Sequence, residues 1–248
     1  MKATQIMEYH RPVLLVETVD GLNIQPNGIY VDVTFGGGGH SQEILERLGE
    51  NGRLIAFDQD RDALRNTIDD PRFLLINENF RYLKRFLRSH SIKEVDGILG
   101  DFGVSSHQFN EAERGFSTRF AADLDMRMNQ NATFSAYDVI NKYPEEKIKN
   151  VLFQYGELRA SAGMARLIVE VRQQSPIISS EELKKALGRF LPIHRENKVL
   201  AQIYQAIRIE VNQELEALKE FLIQTEEVLK AQGRLSLLSY HSLEDRLV

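Results

Sequence analysis

Short apolar runs alternate with helix-length amphipathic stretches from residue 28 to residue 101. Ile29–Val33 reads as a strand and Ser41–Leu48 as the helix after it. Leu54–Phe57 reads as a second strand, followed by a helix around Arg61–Ile68. Phe73–Ile76 reads as a third strand, followed by a helix over Arg81–Ser89 with Leu83, Phe86 and Leu87 on one face. A fourth strand, Val95–Leu99, ends at Asp101. Continuous apolar strands separated by helices imply a parallel sheet covered on both faces.

Beyond Asp101 the rhythm changes. Residues from about 106 to 200 carry no strand pattern and read as short helices: Ser135–Asn141, Glu145–Phe153, Ala160–Gln174 and Glu181–Phe190. Ser179-Ser180-Glu181-Glu182 is a capping box at the last of these starts. A long helix over about Leu215–Ala231 places Leu215, Leu218, Leu222 and Leu229 on one face, and Gly233 is expected to stop it. Arg234–Tyr240 then reads as a fifth strand. The expected fold is α/β with a helical insertion. Residues 1–108 and 201–248 would form the sheet domain, and 109–200 the inserted helical domain.

The chain has 248 residues, 42% of them hydrophobic, enough for a sizeable core. A net charge of −5 argues against nucleic-acid binding by bulk electrostatics but leaves room for a local basic face. Cysteine is absent, which excludes disulfides, thiolate metal sites and a cysteine nucleophile. No compact His/Asp/Glu cluster has metal-ligand spacing, so no metal is expected. There is no apolar signal core at the N-terminus and no apolar run of membrane-spanning length. The plain reading is a cytoplasmic protein.

The candidate chemistry lies at the ends of the strands. Tyr30-Val31-Asp32-Val33-Thr34-Phe35 leads into Gly36-Gly37-Gly38-Gly39-His40, and a helical pattern begins at once. Glycines permit a tight turn and close ligand approach, and the new helix offers free N–H groups. Asp58 ends the next apolar run, where a carboxylate can accept hydrogen bonds from both hydroxyls of a ribose. A dinucleotide fingerprint would need a third glycine where Ser41 or Gln42 stands. That disfavours NAD and FAD and leaves S-adenosylmethionine, which carries a ribose and an amino-acid tail but no phosphate. Asp32, the glycine loop, Asp58, Phe80 and Asp101 all fall at or just past strand ends, where ligands of such sheets bind. Asp32 suits either the cofactor's ammonium group or a cap on the glycine turn. Phe80 suits either an adenine face or the core.

Seven local sequences coincide with one family. They are Tyr9-His10-Arg11-Pro12-Val13-Leu14-Leu15, the glycine loop with His40, and Asp96-Gly97-Ile98-Leu99-Gly100-Asp101-Phe102-Gly103-Val104-Ser105-Ser106 with Gln108 behind it. Glu113-Arg114-Gly115-Phe116-Ser117 and Leu124-Asp125-Met126-Arg127-Met128 follow. Gln205-Ala206-Ile207-Arg208-Ile209-Glu210-Val211-Asn212 and Ser239-Tyr240-His241-Ser242-Leu243-Glu244-Asp245-Arg246 complete the set. The chain resembles the ribosomal RNA small subunit methyltransferase H family, the cytosine-N4 enzymes of the bacterial small subunit. The resemblance implies a Rossmann-like class I S-adenosylmethionine-dependent methyltransferase sheet. It implies methylation of the exocyclic amine of one cytidine in the decoding region of 16S rRNA within the small ribosomal subunit. Cofactor contacts carry over onto Gly38, Gly39, His40, Asp58, Phe80, Asp101 and Gln108, and the insertion would recognise the substrate. Gly100 stands where the family more often has an aliphatic residue, Gln202 where many members have arginine, and Tyr240 where phenylalanine is usual. Members normally continue for some tens of residues, with basic character, past the motif that here ends near Val248, so the C-terminus is read as truncated.

A cytosine N4 amine is a poor nucleophile, because its lone pair is delocalised into the ring. Catalysis then rests on in-line alignment and on an acceptor for the amine hydrogens. Asp101, Ser105 and His241 are the catalytic candidates, and whether Asp101 faces the amine or the cofactor stays open. Arg114, Arg119 and Arg127 could meet phosphates or form ion pairs with Glu113, Asp123 or Asp125. Phe102, Phe116 and Tyr240 could stack on an extruded base or lie in the core. His241 beside Ser242 and Glu244 hints at a hydrolase, but the chain has no Gly-x-Ser-x-Gly elbow. The competing readings are a nicotinamide-dependent oxidoreductase and a non-catalytic RNA-binding protein that retains a cofactor pocket. A homodimer is left open.

Overall fold

In the computed structural model, which describes residues 12–248, five strands form one parallel sheet. These are β1 (Ile29–Asp32), β2 (Arg53–Phe57), β3 (Phe73–Ile76), β4 (Val95–Asp101) and β5 (Leu229–Leu238), in the order β3-β2-β1-β4-β5. Every neighbouring pair is parallel, with Val31 opposite both Ile55 and Ile98. β1 sits centrally, and its Tyr30, Val31 and Asp32 are all buried. α1 (Leu15–Gly21) and α2 (Gly39–Arg47) flank the sheet, and α3 (Leu83–Ser89) precedes β4. Val19 and Leu22 from the α1 end, with Ile44 and Leu45 of α2, pack on Tyr30, Leu54 and Leu99. Removing these apolar side chains from water contributes about 1.5–3 kcal/mol each.

The topology locates the site. The chain steps outward from β1 to β2 and β3, then returns to β4 on the other side of β1. Where the order reverses, a crevice opens beyond the carboxyl ends of the two central strands. Asp32 and Asp101 are the last residues of those strands.

The chain divides into two compact units. One holds the residues through Asp58 with Asp62–Ser106 and Ile223–Ser239; the other holds Gln59–Arg61, His107–Leu222 and Tyr240–Val248. The helices from residue 106 onward are α4 (Ser106–Asn110), α5 (Ala136–Lys142), α6 (Glu145–Gln154), α7 (Ser161–Arg172), α8 (Ser180–Ala186), α9 (Glu196–Asn212), α10 (Glu214–Val228) and α11 (Ser242–Asp245). In the second unit α6 packs on α7, and α9 packs on α5 and α6. Between residues 107 and 222 no strand forms, and the extended pairing is an isolated bridge between Asp123 and Ser179. Among the described residues, no helix is long and apolar enough to cross a membrane.

Several elements differ from the sequence expectation. The expected helix near 61–68 is a 3-10 turn, Arg61–Asn66, whose last side chain donates to Gly36 O at 3.0 Å. The expected helix at 81 begins as a 3-10 turn, Phe80–Tyr82, which the Asn79 side chain caps, before α3 starts. α10 ends at Val228 rather than running to Ala231, because Leu229 already pairs with Val95. Gly233 therefore lies in a bulge of β5, where the chain from Leu229 to Arg234 faces only Val95–Gly97. The expected return to the sheet domain at residue 201 falls inside α9. Its Ile203, Ala206, Ile207 and Ile209 are fully buried, and it belongs with the second unit. Residues 240–248 join that unit as well.

Candidate active site

Aspartates at three strand ends contact the glycine loop or the residues that flank it. Asp32 is fully buried; its Oδ1 accepts the Thr34 N–H at 3.0 Å and its Oδ2 the Ser41 hydroxyl at 2.7 Å. Burial pushes the Asp32 carboxyl up, against the opposing pull of the Ser41 bond and His40. Both oxygens thus serve the turn. Asp58 follows β2 directly, and its Oδ2 accepts the Gly36 N–H at 2.8 Å. Asp101 closes β4, its backbone N–H donating to Thr34 Oγ1 at 2.6 Å. Its Oδ2 lies 3.8 Å from His40 Nδ1.

Each glycine of the loop has its own surroundings. Gly38 takes a left-handed conformation, φ 80°, as the residue before α2, and no side chain caps that helix end. The first N–H groups of α2 and its positive dipole end are thereby available to a polar ligand. A Cβ on Gly39 would lie 2.3 Å from Pro12 Cγ, so this position is closed by the protein itself. A Cβ on Gly37 would meet nothing within 4 Å, and one on Gly36 would only touch Ser105 Cβ at 3.7 Å. The open edge of the loop is therefore at Gly36 and Gly37. His40 is buried, and its Nε2 makes no hydrogen bond among the described residues. Phe80 is half-buried after β3, its ring tilted on Phe102 with centroids 5.7 Å apart.

Most of the remaining candidates lie in the second unit. Gln108 is buried and donates from Nε2 to Asp60 Oδ2 at 2.8 Å. Asp60 also takes Arg114 Nη2 at 2.8 Å and Gln130 Nε2 at 3.1 Å. Arg114 is thus in a buried ion pair, with a partner that local sequence did not suggest. Arg127 pairs with Asp125 through two bonds, 2.8 Å from Nε and 2.6 Å from Nη2. Burial raises the Asp125 carboxyl, but the Arg127 bonds outweigh it and hold the group below its ordinary value. Arg119 is exposed, over the Phe109 ring at 5.2 Å. Phe102 and Phe116 are buried, whereas Tyr240 is 54% exposed. Residues 9–11 of the first motif lie outside the described residues.

His241 is the N-terminal cap of α11, its Nδ1 accepting the Glu244 N–H at 3.4 Å. Burial and the Arg208 guanidinium push its imidazole below the ordinary 6.5. Its Nε2 lies 3.3 Å from Glu244 Oε1 without forming an aligned hydrogen bond. His241, Glu244 and Glu214 form a compact cluster that the sequence expectation of no such cluster missed, because Glu214 is brought in from the start of α10. Arg208 already engages both Glu214 oxygens, at 2.9 and 3.0 Å. Asp60 is the other residue that sequence reasoning passed over; its signal was a second acid two places after Asp58.

The family model of the MraW methylase family matches residues 7–248. The chain belongs to the MraW methylase family. A ribosomal RNA small subunit methyltransferase H from Christiangramia forsetii is 69% identical over 243 residues, covering 98% of this chain and 80% of that protein. One of the same name from Flavobacterium johnsoniae is 64% identical, covering 99% of this chain and 81% of that protein. Another from Bacteroides thetaiotaomicron is 55% identical, covering 98% and 80% respectively. Within this methylase family the glycine loop, Asp58 and Asp101 sit where an α/β sheet takes its ligand.

Proposed function

We propose that this methylase transfers a methyl group from S-adenosylmethionine to the N4 amine of a cytidine in the decoding region of 16S rRNA, within the small ribosomal subunit. The observation that carries the reading is the convergence of Asp58, Asp101 and the uncapped start of α2 on a glycine loop open at Gly36 and Gly37. The names of its relatives support the RNA substrate. The donor set suits a ligand with a ribose, an adenine and a charged amino-acid tail. Asp58 accepts from the ribose hydroxyls, Phe80 lies along the adenine, and the α2 N–H groups with Asp101 and His40 meet the tail. Bound S-adenosylmethionine supplies a methyl group activated by its sulfonium. The Phe102–Ser105 loop after β4 offers acceptors for hydrogens of the incoming amine, which favours nitrogen attack. The buried His40 lies beside the Asp101 carboxylate, its Nδ1 3.8 Å from Asp101 Oδ2. The second unit serves substrate recognition.

Asp58→Ala tests the cofactor assignment. The loss of hydrogen bonds to a carboxylate should weaken S-adenosylmethionine binding by about 1.5–3 kcal/mol. Titration calorimetry of both proteins with S-adenosylmethionine and with NADH checks it. Unchanged affinity in the variant removes Asp58 from the site, and binding of NADH alone restores the oxidoreductase reading.

A further inference from the structure

The turn between α8 and α9 exposes an isoleucine almost completely. Ile193 is 96% exposed, in a 3-10 turn, Ile193–Arg195, that follows Pro192. Its neighbours Leu187 and Leu191 are buried, so the turn is anchored from beneath. A second anchor is Phe190, whose ring stands over Gly163 of α7. A Cβ on Gly163 would lie 2.7 Å from Phe190 Cζ.

Cations are dense in the sequence around this isoleucine. Lys184, Lys185, Arg189, Arg195 and Lys198 stand within fifteen residues that hold one carboxylate, Glu196, in a chain of net charge −5. Glu196 is engaged by Lys184. Lys185, Arg189, Arg195 and Lys198 are exposed, with no carboxylate at ion-pair distance among the described residues. Arg166, one helical turn on from Gly163 along α7, is 70% exposed and makes only a 4.0 Å approach to Glu145.

We propose that this turn is an RNA-docking surface of the second unit, with Ile193 covered by an unpaired base and Arg189, Arg195 and Lys198 meeting the flanking phosphates. The inference rests on the RNA substrate proposed above and adds the place where that RNA is gripped. Aliphatic side chains such as isoleucine serve elsewhere as wedges against base faces, and unpaired RNA presents base faces that arginine planes also stack on. Each phosphate contact releases counterions, so its loss reduces the salt dependence of binding by about 0.7–0.9 in log–log slope.

The test compares wild type, the triple variant Arg189→Ala/Arg195→Ala/Lys198→Ala, Ile193→Ala, and a control pair, Lys149→Ala/Lys219→Ala. Affinity for small ribosomal subunits lacking the modification is measured across a salt series, with S-adenosylmethionine affinity as the fold control. The triple variant should bind subunits at least tenfold more weakly with a slope shallower by about 2–3. Ile193→Ala should lose severalfold in affinity at unchanged slope, and the control pair should match wild type. Wild-type affinity and slope in the triple variant would overturn the proposal, as would an equal loss in the control pair. Unchanged subunit binding combined with lost self-association in sedimentation would assign the turn to a second copy of the chain and also overturn it. Binding is read apart from methyl transfer. A wild type that binds subunits without methylating them defeats the proposed activity, while the salt slopes still decide the surface.

Discussion

Gly37 and Gly39 stand two residues apart and do opposite work. Alanine at 39 drives its methyl into Pro12, an overpacking that should cost about 1–3 kcal/mol of stability. Alanine at 37 meets open space, so its stability should stay within about 0.5 kcal/mol of wild type. The same methyl would occupy the open edge of the loop, and S-adenosylmethionine affinity should fall severalfold. Thermal unfolding and calorimetry on both variants check this pair. Full cofactor affinity in Gly37→Ala would place the ligand elsewhere. At this scale the sequence was informative where function is written as a short motif. The glycine turn between β1 and α2 could be read directly, because a strand, a turn and a helix follow one another without long-range help. The Asp60–Arg114–Gln108 network could not, since its members are brought together from residues about 50 apart. Asp32 was legible as a loop residue, but only the contacts with Thr34 and Ser41 reveal how it holds the turn.

Elements carry the next level of consequence. Arg114 joins the start of the second unit to Asp60, and both side chains are nearly buried. Arg114→Ala would leave Asp60 as an uncompensated buried charge, at a cost of about 3–5 kcal/mol. Arg119→Ala, on the surface, should change stability by less than about 0.5 kcal/mol. Urea unfolding of the two variants separates them, and equal midpoints would contradict the buried pair. Before β3, Asp70 accepts three short bonds from Arg72, which hold its carboxyl down at about 2 against an ordinary 3.8. A depressed carboxylate stabilises the fold above its unfolded value and loses that contribution as pH falls through the folded one. Asp70→Asn should therefore be less stable than wild type at neutral pH, with the gap closing between about pH 4 and pH 2. Circular dichroism melts over that range measure it; a gap independent of pH would contradict the assignment. Strands β1 to β4 were legible because central parallel strands are apolar runs bounded by turn residues. α9 was passed over although Leu200, Ile203, Tyr204 and Ile207 have helical spacing. The end of α10 was misplaced because strand pairing by Leu229, a long-range contact, overrides local helix propensity.

At the scale of the whole molecule, an acidic chain acts on a polyanion, so attraction has to be local. The first unit supplies the parallel sheet and the strand ends proposed above as the cofactor site. The second supplies helices built on α9 and a basic turn that the overall charge conceals. Composition registered the net charge but not its placement, because the segment that carries Arg189 is set against α7 by the packing of Phe190 on Gly163. The most direct measurement is transfer of a labelled methyl group from S-adenosylmethionine to small subunits lacking the modification, followed by nuclease digestion and nucleoside mass spectrometry. The expected result is label in N4-methylcytidine from 16S rRNA with the wild type, and a large loss of that label with Asp58→Ala. Absence of transfer by the wild type, or label on a carbon of the base or on another nucleoside, would contradict the account.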